Sequence, residues 1–522
     1  ALPICGTSAS KTAGAAAPTL EECQAQCGAG CKAVEFHAAE GACWLLQEDP
    51  RHMRAAPGSE CVRRLGANYT DVFVMLPLDV VSPSGGLSDT AGLQRMFDKV
   101  QGVGIDGFMV DVWWGLTEPA PKAYNFSAYR ELFDLARFRG WQVQAVASFH
   151  QCGGNVGDTC NITLPGFVRE HDDLWYKDRA GNENREYISL FADEVEVLGR
   201  TPVDMYRDWL SAFNTYFAND MGSLITEVMV GMGPAGELRY PSYPLSRWEF
   251  CGVGEFQVFD RHALASLRSA AEGTGQPEWG VPPSAGAVGG YNSEPSQTDF
   301  FTTGYATDYG KFFLDWYFSE LQRHGQRVLS TARAALPDQV QIAGKVSGIH
   351  WWYDEPSHPA ELTAGYYNTN SRNTYEELGQ IFAEHRAKLD FTCLEMRNSE
   401  QPAECRSNPE ALVAQVIGAT KHSGIPFDGE NALQRYDVWG FAQTEHYAEH
   451  MESFSFLRLH PDLLEPENLS RFQKFVSAMH GDTADGVAQH VLASLAPEFD
   501  VSAEAHSGGV AGQPPLPPAR LL

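Results

Sequence analysis

Short runs rich in β-branched and aromatic residues recur eight times along this chain, near 71–78, 107–112, 142–148, 225–231, 341–347, 389–394, 426–429 and 453–458. Longer amphipathic segments separate them; Tyr129 to Phe138 and Val413 to Ile417, for example, carry apolar residues at helical spacing. This alternation is the pattern of parallel strands joined by helices, because a parallel partner is reached only through a long crossover. Eight such strands close on themselves, so the expected fold class is α/β, a (β/α)8 TIM barrel. The segment 65–485 is longer than the roughly 250 residues of a minimal barrel, and insertions must supply the excess. The largest is expected between the fourth and fifth runs, where Gly273 to Pro295 is rich in Gly, Pro and Ser and reads as loop.

Ahead of the barrel the composition changes. Cys5, Cys23, Cys27, Cys31, Cys43 and Cys61 crowd into residues 1–64, a density that reads as a disulfide framework and an oxidising compartment. A zinc site, for which Cys27 and Cys31 have a usable spacing, is the weaker reading. Sequons at Asn68, Asn125, Asn161 and Asn468 agree with secretion, and a start at Ala1 without methionine fits a processed end. The helix-like Glu21 to Cys27 followed by the apolar Cys43-Trp44-Leu45-Leu46 resembles PAN/apple modules. That resemblance implies nested pairs Cys5–Cys61, Cys23–Cys43 and Cys27–Cys31, and a protein or glycan ligand. The expected division is therefore a head over 1–64, a barrel over 65–485 and a flexible Pro/Gly/Ala-rich tail over 486–522.

The charge narrows the partners. With 67 acidic against 38 basic side chains the formal net charge is −29, which repels nucleic acids and anionic membrane surfaces. No run of apolar residues is long enough to span a bilayer. A neutral polymer meets no such repulsion.

Active sites of such barrels form at the C-terminal ends of the strands. Run two ends in Asp111-Val-Trp113-Trp114, run three in His150-Gln-Cys152-Gly-Gly-Asn-Val-Gly-Asp158, and run four in Gly233-Pro-Ala-Gly-Glu237-Leu-Arg239. Run five ends in Lys345-Val-Ser-Gly-Ile-His350-Trp351-Trp352, run six in Thr392-Cys-Leu-Glu395, and run seven in Glu430-Asn431-Ala432-Leu433. Taken singly, the tryptophan pairs read as packing, Gly-Pro-Ala-Gly as a turn, each histidine as structural and Lys345 as half of an ion pair. Their recurrence on one rim is different: aromatic faces stack on sugar rings while carboxylates bind hydroxyls or move protons.

These strings, with Gly348-Ile-His-Trp-Trp-Tyr353 and Phe391-Thr-Cys-Leu-Glu-Met396, resemble β-amylases from about residue 70 to 482. The resemblance implies an inverting hydrolase that releases β-maltose from the non-reducing ends of α-1,4-glucans such as starch, with no metal or cofactor in the chemistry. Carried over by motif, Glu237 is the general acid and Glu430 the general base. Asp158 is the tip of a mobile lid, and Thr392 a switching inner-loop residue. Asp111, His150, Lys345, His350, Asn431, Ala432 and Arg458 hold sugar, and Leu433 wedges beside the scissile bond. Inversion needs a protonated carboxyl facing an ionised one, so burial or a negative neighbour is expected at Glu237 and hydrogen bonds at Glu430. Cys152 and Cys160 bracket the lid; free thiols are the expectation, since a staple would resist closure, with a disulfide as the alternative. Two rivals stay open: a silent glucan-binding barrel, and a retaining glycosidase with Glu395 as nucleophile.

Overall fold

Eight strands form the sheet at the centre of the molecule, each within a few residues of a run read from the sequence. They are β1 (Asp71–Met75), β2 (Gly107–Trp113), β3 (Gln142–Ser148), β4 (Ile225–Val230), β5 (Gln341–Val346), β6 (Ala387–Phe391), β7 (Phe427–Glu430) and β8 (Ser453–Leu457). All pair in parallel with their sequence neighbours, and β8 returns to β1 with Ser453 opposite Asp71, which closes the barrel. The computed structural model describes residues 69–155 and 157–481, with four short strands near the N-terminus at Lys11–Ala13, Ala33–His37, Ala42–Leu46 and Glu60–Arg63. Those four make an antiparallel sheet in which the Ala33–His37 strand lies between the Ala42–Leu46 and Glu60–Arg63 strands. The expected pairs Cys5–Cys61, Cys23–Cys43 and Cys27–Cys31, and the tail 486–522, lie outside the described residues.

The strands are apolar on both faces because both faces are covered. Outward residues such as Val72, Val74, Phe108, Val110, Val143 and Ala145 join one large core with the helices. Alternate residues Met75, Met109, Val146, Met229 and Ala343 form a separate apolar layer inside the barrel. The principal helices are α1 (Thr90–Gln101), α2 (Ser127–Arg139), α3 (Pro202–Tyr216), α4 (Asp308–Ala335), α5 (Thr374–Glu384), α6 (Pro409–Ser423), α7 (Val438–His446) and α8 (Pro466–Met479). Side chains cap α1, α3, α4, α6 and α7; Thr201 and Asp204, for instance, form a reciprocal capping box ahead of α3.

Two departures from the sequence reading bear on the site. The sixth run predicts a strand reaching 394, but the strand stops at Phe391 because Cys393 turns into the left-handed region, with φ of 64°. The β3–α3 connection holds an antiparallel hairpin, Trp175–Lys177 with Glu183–Ile188, that periodicity does not reveal. Gly273 to Pro295 is mostly loop, interrupted by single turns of helix at Pro277–Trp279 and Ala285–Val288.

At the N-terminal end of the strands a buried polar layer lies beneath the apolar one. Lys388 Nζ sits 3.2 Å from Glu227, 3.3 Å from Asp428 and 3.1 Å from Glu452. Burial, reinforced by Asp428, pushes the Glu227 carboxyl up to about 8, against the pull of Lys388. Removing the ammonium would leave two buried carboxylates without their counter-charge, which in such clusters costs about 3–5 kcal/mol. Lys388→Met is therefore expected to lower the unfolding free energy by that amount, read as a lower urea midpoint at unchanged slope, and a midpoint equal to the parent's would contradict it.

Candidate active site

Glu430 is the last residue of β7 and is almost wholly buried. Two strands away, β5 points Lys345 at it, and Lys345 Nζ donates to Glu430 Oε2 over 2.5 Å, with Asp390 Oδ2 of the intervening β6 at 3.8 Å. Burial works against the Lys345 charge, but Glu430 and Asp390 outweigh it and hold the ammonium above its ordinary range. The second Glu430 oxygen, Oε1, is buried and accepts no bond from the protein.

Glu237 is placed differently. It follows the turn Gly233-Pro-Ala-Gly236, in which Ala235 and Gly236 both have positive φ, 54° and 79°. The turn hooks the chain back so that Glu237 pairs with Lys345 alongside β5 and Leu238 N–H donates to the Lys345 carbonyl over 2.8 Å. Its carboxyl is buried, as expected, but its direct contact is a cation and not an anion: Arg239 Nε donates to Glu237 Oε2 at 2.6 Å. Arg239 is fixed over the Tyr243 ring, 4.2 Å from its centroid, and donates through Nη2 to Asn155 Oδ1 at 3.1 Å.

Around these two carboxyls the structure gathers most of the remaining candidates. Asp111, in β2, accepts from Ser148 Oγ at 2.7 Å and feels Arg458, Lys345 and Glu430; burial nevertheless raises its carboxyl. Arg458 donates to the Leu76 carbonyl at 3.0 Å and also faces Glu430 and Asp158. His150 packs edge-on against Trp113, with centroids 5.1 Å apart, and burial with Lys345 and Arg239 drives it down to about 3, so it is a neutral ring. His350 stands in an aromatic wall with Phe250 and Trp351; burial lowers it to about 4. Asn431 ties its loop to β8 by exchanging bonds with the Leu457 backbone, and Leu433 beyond it projects into solvent, 41% exposed. Thr392 leaves β6 against Gly348, which has no room for a side chain there. Trp113 and Trp114 are packing residues, fully buried with their indole N–H groups bonded to Leu78 and Glu118.

Glu395, the alternative nucleophile, is occupied elsewhere, since its two oxygens accept from the Ala432 and Leu433 amides at 3.1 and 2.8 Å. It anchors the loop that follows Glu430. Burial raises its carboxyl to about 7.

The lid carries the clearest correction. Cys152 and Cys160 are a disulfide, with Cα atoms 5.7 Å apart, and not free thiols. The staple sits where Cys152 and Ile162 already exchange backbone bonds, and the positive-φ glycines 153, 154 and 157 lie within the loop it closes. Asp158 Oδ2 accepts from the Gly153 and Asn155 amides, both at 2.9 Å, so the lid's tip is folded on itself. A second pair, Cys251–Cys405, which no sequence spacing signals, fastens the segment after Glu237 to the loop after β6.

Glu186, on the hairpin, is a further site residue outside the sequence-derived set. It is buried beside Asn155, and its Oε1 accepts from Asn155 Nδ2 and from the Ala235 amide, the latter at 2.8 Å. Burial raises it to about 7, opposed by Arg239. One polar residue in a polar hairpin sequence gives no pattern to read.

The model of glycosyl hydrolase family 14 matches residues 73–485. Beta-amylase 2, chloroplastic, from Oryza sativa subsp. japonica is 47% identical over 454 residues, spanning 83% of this chain and 81% of the relative. Beta-amylase 1, chloroplastic, from Arabidopsis thaliana is 42% identical, covering 88% and 83%. The catalytic domain of the Paenibacillus polymyxa β-amylase superposes with a TM-score of 0.66 at 29% identity, over 79% of this chain and 98% of that one. The two plant names overturn the expectation of secretion. Sequons arise by chance in a chain of this length.

Alkylation of the unfolded, unreduced protein followed by peptide mass spectrometry is expected to find Cys152 joined to Cys160, Cys251 to Cys405, and Cys393 alkylated. An alkylated Cys152 would refute the lid staple.

Proposed function

From the premise that this chain belongs to glycosyl hydrolase family 14, we propose how its residues carry out the β-amylase reaction, the hydrolysis of α-1,4-glucans from their non-reducing ends to β-maltose. That it is a glycoside hydrolase of β-amylase type follows from the family and from relatives at 42–47% identity over most of their length. The names of those relatives support a plastid as its compartment.

The observation that carries the residue assignment is the unequal setting of the two glutamates. Glu430 receives an ammonium on Oε2 and keeps Oε1 buried without a protein donor, the arrangement of a general base that must accept from water. Glu237 accepts from Arg239 at Oε2, which leaves Oε1 to carry the proton given to the glycosidic oxygen. A carboxylic acid can do both at once, since its carbonyl oxygen accepts while its hydroxyl donates. Water held by Glu430 attacks the anomeric carbon opposite the leaving oxygen, so the α-linkage yields a β-product. Neutral His150 and His350, with Asp111, Lys345, Arg458, Asn431 and the Ala432 backbone, supply hydroxyl partners, while Leu433 offers an apolar wedge. Asp158 and Thr392 are assigned to lid and inner-loop movements that exclude bulk water. A retaining route would need Glu395 at the anomeric carbon; its bonds to two backbone amides favour the inverting reading. The head over 1–64 and the tail over 486–522 are assigned no catalytic residue.

Room for the water sets the carboxyl groups of Glu237 and Glu430 roughly 6.5–9.5 Å apart in the substrate complex, against about 5–5.5 Å for a nucleophilic route. Glu237→Gln and Glu430→Gln are each expected to lower kcat on maltopentaose by about 10³-fold or more with glucan affinity largely kept. NMR of the anomeric proton during the first turnovers is expected to show β-maltose. Initial α-maltose, or full activity in either variant, would overturn the assignment.

A further inference from the structure

The polar contacts around Glu237 extend beyond the site that sugar would occupy. Arg239 holds the Glu237 carboxyl with Nε and reaches the lid residue Asn155 with Nη2. The Asn155 side chain in turn donates to Glu186 Oε1, and the same oxygen accepts the amide of Ala235. The Glu186 carbonyl also accepts from the Gln151 amide at 2.8 Å, immediately before the lid's disulfide. The contacts therefore form a closed circuit: Glu186 to the turn that aims Glu237, Glu237 to Arg239, Arg239 to the lid, and the lid back to Glu186.

The Ala235 contact has a physical reason to matter. Ala235 holds a left-handed conformation, φ 54° and ψ 19°, which costs a non-glycine residue about 1–3 kcal/mol and persists only where its surroundings impose it. Its amide is held by a buried carboxyl oxygen at 2.8 Å, so losing that acceptor would leave a polar group unpaired. Relaxation of that residue would swing the chain two residues before Glu237.

We propose that Glu186 is a positioning residue of this reaction, which fixes the turn carrying Glu237 and registers the lid to it through Asn155. It touches neither sugar nor the reacting atoms; it acts through Ala235, Asn155 and Arg239. The proposal rests on Glu237 being the acid, and a Glu237→Gln control separates the two ideas.

The test is steady-state turnover of maltopentaose by the full chain, with thermal unfolding of every variant as a check on folding. Glu186→Leu removes the acceptor at similar volume and is expected to lower kcat by about 10²-fold, the size of effect that a misplacement of about 1 Å produces, with KM moving far less. Glu186→Gln keeps an acceptor oxygen and is expected to restore kcat to within about threefold of the parent. Asn155→Ala, which cuts the circuit on the lid side, should lower kcat by itself, and combining it with Glu186→Leu should add little because both break one circuit. Parent-like kcat in Glu186→Leu, equal loss in the Leu and Gln variants, or fully multiplicative losses would overturn the proposal. If Glu186→Leu does not fold, parent-like kcat in Asn155→Ala overturns it alone. A dead Glu237→Gln beside a fully active Glu186→Leu discards Glu186 only; an active Glu237→Gln discards the acid assignment and this proposal with it.

Discussion

The ion pair between Lys345 and Glu430 sets the terms for the rest of the site. It lies inside the barrel at the C-terminal ends of two strands, at 2.5 Å and almost without exposure. A buried pair contributes little to stability once desolvation is counted, and an apolar substitute would often serve the fold as well. Its geometry fits the role proposed for Glu430: an ammonium supplied by a rigid strand holds one oxygen of the carboxylate and leaves the other free of protein donors. The barrel makes this possible. Parallel strands in fixed register bring β5, β6 and β7 together so that Lys345, Asp390 and Glu430 share one volume.

The charge arrangement inside the barrel has a vertical order. Lys388 is surrounded by Glu227, Asp428 and Glu452 at the base, an apolar layer of methionines and small residues lies above, and the ionisable rim lies above that. The two polar layers are thus separated by a low-dielectric plug. The base sets one lysine among three carboxylates, whereas the rim sets Lys345, Arg239 and Arg458 among its own.

Much of this is legible in the residues alone. The eight runs are visible because strands buried on both faces must be continuously apolar, and the rim residues because they interrupt those runs at the one end where chemistry occurs. The family strings single out the two glutamates. What stays hidden depends on contacts between segments remote in sequence. Cys251 and Cys405 are separated by 154 residues, with no spacing rule to join them. Glu186 lies in a hairpin whose two strands are three and six residues long, too short to show a period. Arg239 is in the matched string, but only the structure shows its guanidinium against Glu237. The lid cysteines read as free thiols because a staple across a moving segment would resist closure; the bond instead closes the base of a loop in which glycines 153, 154 and 157 hold positive φ.

The two glutamates end on backbones of different character, and that difference suits the roles proposed for them as acid and base under a closing lid. Glu430 belongs to a strand paired on both sides, so its carboxylate is as fixed as the barrel itself. Glu237 follows a turn held in a costly conformation and is coupled through Arg239 and Asn155 to a lid whose glycines permit large rotations. A base that must hold a water in line gains from rigidity, because its partner is small and has to be found in one place. An acid that protonates the leaving oxygen of a long, flexible glucan gains from being brought to final register only when the lid has closed over the chain. Rigidity and adjustability are thus divided between the carboxyls according to the size of what each one holds.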